Sequence, residues 1–157
     1  MKLIFNYKNL TSLILICAVF FLDRYSKNII ISEINESNFY LNSFINLNLI
    51  WNSGVGFGLF SHTSVLIYNF ISAIILVVII GLVYVGLKSN LFDKIIFSLI
   101  LGGAIGNFYD RLVFSAVPDF IDFHVGNFHW FTFNIADIFI SFGIIIFLTN
   151  GFFKKDK

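Results

Sequence analysis

Four long apolar segments, at about 10–31, 65–87, 91–111 and 131–153, run through the chain, and most of its polar residues lie outside them. Each approaches the roughly 20 residues that a helix needs to cross a bilayer. The third reaches that length only when Asp110 and Arg111 are drawn into its outer end. Lysine placement orients these spans, because cytoplasmic loops carry the excess of positive charge. Lys2, Lys8, Lys88, Lys94, Lys154, Lys155 and Lys157 fall on one side, whereas segments 32–64 and 112–130 hold no lysine or arginine. Both termini are therefore expected in the cytoplasm.

The two outer segments have a pattern of their own. Ile45, Leu47, Leu49 and Trp51 alternate with Asn46, Asn48, Ile50 and Asn52, close to the period of two of a strand with one apolar face. Further on, Gly126-Asn127 separates residues 120–125 from 128–133, a hairpin signature. The expected fold is a membrane all-α domain spanning 1–157, with four transmembrane helices and a small extracytoplasmic β element at the membrane surface.

Composition agrees: 58% of residues are hydrophobic and 12% charged, with a mean hydropathy of +0.89, against about 25% charged in soluble domains. A formal net charge of +1 without a basic block argues against a nucleic-acid partner. The lone cysteine, Cys17, cannot form an intrachain disulfide. It sits where a lipoprotein signal would carry its modified cysteine, but Leu15 and Ile16 precede it where cleavage would need small residues. The first segment is read as a retained span.

Ionisable residues inside apolar segments are costly and face a functional interior. At about 1.5 Å per residue, Asp23 stands roughly 22 Å beyond Lys8, Asp110 roughly 24 Å beyond Lys94 and Asp137 roughly 26 Å before Lys154. Three carboxylates thus reach one layer near the outer edge of the membrane. Lys27 follows Asp23 by four residues, on the same helical face, and Arg111 follows Asp110. Asp137 has no basic neighbour in sequence and needs a partner from elsewhere. Asp110 has the matching depth, although Arg111 beside it would tend to hold it ionised. Asp119, in the apolar stretch Val117-Pro118-Asp119-Phe120, is the alternative. Two carboxylates about 3 Å apart share a proton and can act as base and acid on one water, the chemistry of an aspartyl protease.

Five motifs then occur in order: Asp23-Arg24-Tyr25-Ser26-Lys27; Asn52-Ser53-Gly54-Val55-Gly56-Phe57-Gly58; Gly102-Gly103-Ala104-Ile105-Gly106-Asn107-Phe108-Tyr109-Asp110-Arg111; Asp119-Phe120-Ile121-Asp122-Phe123; and Phe133-Asn134-Ile135-Ala136-Asp137. In these motifs, along nearly its whole length, the chain resembles the bacterial lipoprotein signal peptidase (signal peptidase II) family. The resemblance implies cleavage of prolipoproteins just before a diacylglyceryl-modified cysteine, without metal or cofactor, at the outer face of the bacterial cytoplasmic (inner) membrane. It makes Asp119 and Asp137 the catalytic pair, with Asp23, Lys27, Asn52, Gly54, Asn107, Asp110, Arg111, Asn134 and Ala136 in support. The partners are lipidated substrate and membrane lipid, and the enzyme is expected to work as a monomer. Asn107 and Asn134 can hold the carboxyls through neutral hydrogen bonds, and Arg111 can bind backbone carbonyls or anchor a loop. Gly102, Gly103 and Gly106 suit close helix packing, and Gly54, Gly56 and Gly58 suit a turning loop.

The chain departs from the family pattern at Pro118, Ser115 and Gly56, in place of an aliphatic residue, glycine and alanine. Pro118 removes a backbone donor beside Asp119 and puts strand pairing there in question. Other chemistries fit less well. His62, His124 and His129 lack the His-Glu-x-x-His spacing of a zinc protease, and Ser26 and Lys27, adjacent on a helix, do not face each other. A small proton- or cation-coupled transporter or channel subunit would need a polar path across the membrane. The second span holds no charge, and the buried charges cluster at the outer end.

Overall fold

The structure is a computed structural model that describes residues 6–34, 38–54 and 65–153. Gly56, Phe57, Gly58, His62 and the terminal lysines Lys2, Lys154, Lys155 and Lys157 lie outside the described residues. Helix α1 (Tyr7–Ile29) continues into a π-helical turn, Ile30–Ile34. Strands β1 (Phe39–Tyr40) and β2 (Ile45–Asn52) follow, then α2 (Val65–Lys88) and α3 (Leu91–Phe114). Strands β3 (Val117–Val125) and β4 (Phe128–Phe133) lead into α4 (Ile135–Phe153).

The helix ends are set by identifiable caps. Asn6 accepts from the Lys8 amide at 3.3 Å, and Asn90 from the Asp93 amide at 3.1 Å, each satisfying an orphan donor of a first turn. The Lys94 ammonium donates to the Gly86 and Leu87 carbonyls, both at 2.8 Å, closing the C-terminal end of α2. Helix α3 runs three residues past the expected Arg111 and stops where Ser115 adopts φ 55, the left-handed conformation that commonly ends helices. The fourth apolar segment is not helical from Phe131. Residues 131–133 pair with β3 instead, because their aromatic and β-branched side chains suit a strand, and the helix begins only after Asn134.

Helix α3 is the centre of the bundle, against which α1, α2 and α4 pack. Ile96, Phe97 and Ile100 form its buried core, with Leu82 and Ile146 against them. Two glycines permit the close approach that the site requires. A Cβ on Gly103 would lie 2.6 Å from the Ala136 carbonyl oxygen, and one on Gly106 would lie 2.6 Å from an Asp23 carboxyl oxygen. The outer surfaces remain apolar, with Phe21, Phe70, Val77, Ile80 and Ile145 exposed. Such faces are stable against lipid and not against water. Tyr68–Lys88 and Leu91–Phe114 are long and apolar enough to cross a membrane, and Ile135–Gly151 is a shorter apolar helix.

The four strands form an antiparallel sheet in chain order. Pro118 does not interrupt it: Trp51 pairs with Pro118 and Asn52 with Val117. Gly126 has φ +59 in the two-residue β3–β4 turn, as the first central position of a type II′ turn demands. One irregularity departs from the alternation of β2. Leu47 pairs with Ile121 and Ile50 with Asp119, so β2 carries one extra residue between them, a β-bulge. Strict alternation would put Asn52 on the face of Asn46 and Asn48. The bulge transfers it to the face of Asp119.

Candidate active site

Helices α1, α3 and α4 bring together the three carboxylates expected at one depth. Lys27 lies four residues after Asp23 and is fully buried, as are Asp23 and Asp110. Its ammonium has three protons and uses all of them: on Asp23 Oδ2 at 2.8 Å, Asn107 Oδ1 at 2.7 Å and Asp110 Oδ2 at 2.8 Å. Arg24 completes the charge balance, with Nη1 2.6 Å from Asp110 Oδ1 and its guanidinium over the Tyr109 ring at 5.1 Å. Two acids and two cations leave no net charge in this cluster. Asp23 Oδ1 also accepts from the Ala136 amide at 3.0 Å, an otherwise orphaned donor in the first turn of α4.

The partner of Asp110 differs from the sequence reading. Arg111 does not hold it. Its Nη1 donates to the Asn107 carbonyl at 3.0 Å and its Nη2 to the Gly54 carbonyl at 3.1 Å. Successive helical residues project in different directions, so Arg111 points to the strand side while Asp110 points to Lys27. Arg111 instead binds backbone carbonyls and so anchors the chain after β2, which joins the two roles considered for it.

An ammonium can only donate, so Lys27 forces the Asn107 amide to present its oxygen. The opposite end, Nδ2, then donates to Asp137 Oδ1 at 2.8 Å. The same logic fixes Asn52. Its Oδ1 accepts from the Gly54 amide at 2.9 Å, and its Nδ2 donates to Asp119 Oδ2 at 2.8 Å. Asn134 ties the two carboxyls together. It donates from Nδ2 to Asp119 Oδ1 at 2.6 Å and from its backbone to Asp137 Oδ2 at 3.1 Å, while its Oδ1 accepts from the Asp137 amide at 3.0 Å. The reciprocal Asn134–Asp137 bonds are a capping box, residues three apart exchanging side-chain and backbone bonds at a helix start. No direct hydrogen bond joins Asp119 to Asp137 among the described residues; Asn134 links them.

Asp119 is buried, 3% exposed, and Asp137 is partly buried. Burial first, and the charge of Asp137 second, push the Asp119 carboxyl up to about 7, against the pull of the Asn52 and Asn134 hydrogen bonds. An aspartate in the unfolded chain titrates near about 3.9, so the folded state holds this proton more tightly. The stability it confers is complete below that value and is lost as pH rises through about 7. Asp119→Asn removes this loss. The unfolding temperature of the variant relative to wild type should therefore rise between about pH 4 and about pH 7; a difference independent of pH would contradict the assignment.

All eleven residues singled out from the sequence meet in this network. Arg24 was missed as a participant, although two buried acids facing Lys27 already required a second cation. The capping box was also missed, although Asn134-Ile135-Ala136-Asp137 carries its spacing.

Residues 15–153 match the family described as signal peptidase (SPase) II. The chain belongs to the signal peptidase II family. It is 46% identical over 157 residues to the lipoprotein signal peptidase of Pelagibacter ubique, covering 97% of this chain and 95% of that one. A lipoprotein signal peptidase of Francisella tularensis subsp. novicida is 40% identical over 122 residues, 74% of this chain and 75% of that one. Two solved bacterial membrane enzyme structures share the fold. One has a TM-score of 0.81 at 30% identity, covering 92% of this chain and 89% of that one. The other has 0.75 at 32%, covering 89% and 91%. As a member of the signal peptidase II family, the chain is a membrane protease.

Proposed function

We propose that Asp119 and Asp137 are the catalytic pair with which this chain removes the signal peptide of prolipoproteins, cutting before a diacylglyceryl-modified cysteine. The observation that carries the assignment is Asn134, which holds one oxygen of each carboxyl. Below about pH 7 Asp119 carries a proton. Asp137, as the carboxylate, takes a proton from a water whose oxygen attacks the scissile carbonyl carbon, and Asp119 gives its proton to the carbonyl oxygen. Collapse of the tetrahedral diol returns one hydroxyl proton to Asp119. The proton on Asp137 passes to the leaving nitrogen, which restores both groups. Asn52, Asn107 and Asn134 hold the carboxyls, and Arg111 with Gly54 holds Asn52. Lys27, Asp23, Asp110 and the Ala136 amide fix the helices beneath them. One chain contains the whole arrangement, so the working unit is a monomer.

The protein sits in the bacterial cytoplasmic membrane, with α1 to α4 as four spans, both termini inside and the aspartates near the outer face. The lysine asymmetry supports this orientation, and the exposed apolar residues of α1 and α4 support their contact with lipid. In a Cys17→Ser background, a membrane-impermeant thiol reagent should label Asn38→Cys from outside intact cells and leave Ser89→Cys untouched. Labelling of Ser89→Cys would reverse the topology.

Aromatic side chains suit the headgroup layer. Trp51, Phe128, Trp130 and Phe131 are exposed on the sheet, and Trp51 packs on Phe114 with ring centroids 5.4 Å apart. These residues lay the sheet on the membrane and clamp the lipid-bearing end of the substrate. Incubation of the purified protein with lipidated and unlipidated forms of one precursor tests this reading. The lipidated form should be cut and the unlipidated form cut slowly or not at all, whereas equal rates would remove the clamp.

A further inference from the structure

The sheet has a second polar cluster, on the face turned away from Asp119. Asp122 and His124 are two residues apart on β3 and therefore share one face. The two-residue turn pairs Val125 with Phe128 and His124 with His129, which puts His129 on the same face. Phe123 pairs with Phe131 and His124 pairs with His129, so β4 carries Trp130 as one extra residue, a second bulge. The bulge lies beyond the His124–His129 pair and leaves His129 on the face of His124 and Asp122. His129 Nδ1 lies 2.7 Å from Asp122 Oδ2, and the two imidazoles stack with centroids 5.3 Å apart.

We propose that Asp122, His124 and His129 form a binding site for a divalent metal ion of the zinc class. Each offers one ligand atom, and these atoms all lie within 4.8 Å of one another. Tetrahedral coordination, with zinc–ligand bonds of about 2.0–2.1 Å, brings such atoms to about 3.3 Å, a closure that side-chain rotation can supply. Two buried polar atoms on this face point the same way. His124 is 6% exposed and its Nδ1 has no hydrogen-bond partner among the described residues. Asn46, the cross-strand neighbour of Asp122, buries an Oδ1 that likewise has none among them. Buried polar groups without partners are rare and call for an explanation such as an ion. Two imidazoles and a carboxylate favour zinc-like cations over magnesium or calcium, which prefer all-oxygen sets. The ion clamps β4 to β3, the strand that carries Asp119 three residues before Asp122. This departs from the absence of metal that the family resemblance implies.

The test uses the full chain, free of any histidine tag, stripped with EDTA in detergent micelles and titrated with Co²⁺. Saturable binding of one Co²⁺ per chain, with the visible absorption of a tetrahedral site and displacement by Zn²⁺, is expected. His129 is 56% exposed in its side chain, so His129→Gln should fold normally and bind at least about tenfold more weakly. Asp119→Asn should bind as wild type does. Zn²⁺ should raise the unfolding temperature of wild type and not that of His129→Gln. Absence of one-to-one binding, binding that survives His129→Gln, or binding that disappears in Asp119→Asn would overturn the proposal.

Discussion

Asp119→Asn and Asp137→Asn should each lower the rate of prolipoprotein cleavage by at least about a thousandfold, within the range that positioned acid–base groups contribute. Asparagine keeps the volume and loses the titrating proton. At position 137 its carbonyl oxygen can still accept from the Asn134 amide, which preserves the start of α4. At position 119 the oxygen keeps one of the two bonds now made by Asn52 and Asn134. Both variants should therefore purify as folded protein and still bind the lipidated precursor. Binding assays and unfolding curves beside the cleavage assay separate loss of chemistry from loss of structure.

Lys27→Met should have the largest effect on stability. It leaves Asp23 and Asp110 buried with Arg24 as their remaining cation, and removing one partner from a buried ionic cluster costs about 3–5 kcal/mol. It also frees the Asn107 amide, whose orientation on Asp137 depends on the ammonium, so cleavage falls as well. The double variant Lys27→Met/Asp110→Asn balances Asp23 against Arg24 and should recover part of the lost stability. Thermal unfolding in detergent reads both effects. A Lys27→Met protein as stable as wild type would show that the cluster does not hold the helices.

The helices were legible because hydrophobic run length is a local signal. Asp23, Asp110 and Asp137 could be set at one depth because a helix has a fixed rise. The β2 strand was legible from its alternation, but the consequence of its bulge was not. A bulge is defined by pairing with a distant strand, and it alone carries Asn52 to the side of Asp119. The Asp122, His124 and His129 cluster follows from the Gly126-Asn127 turn, which pairs His124 with His129. Arg111 was misread as the partner of Asp110 because sequence adjacency was taken for spatial adjacency on a helix, while Arg24, one turn from Lys27 and on another helix from Asp110, supplied the contact. The fourth helix was drawn too long because an apolar run that includes Phe131 and Phe133 suits a strand as well as a helix. Asn134, the cap that separates the two, is legible once its reciprocal spacing to Asp137 is recognised.

The roles of Asp110, Asp119 and Asp137 can be separated in one measurement: single-turnover cleavage of a diacylglyceryl-modified prolipoprotein by wild type and the three Asn variants, each normalised to folded protein. The geometry predicts that Asp119→Asn and Asp137→Asn are folded and inactive, and that Asp110→Asn gives less folded protein but keeps substantial activity per folded molecule. An active Asp119→Asn beside a folded, inactive Asp110→Asn would contradict the account and move the pair to Asp110 and Asp137.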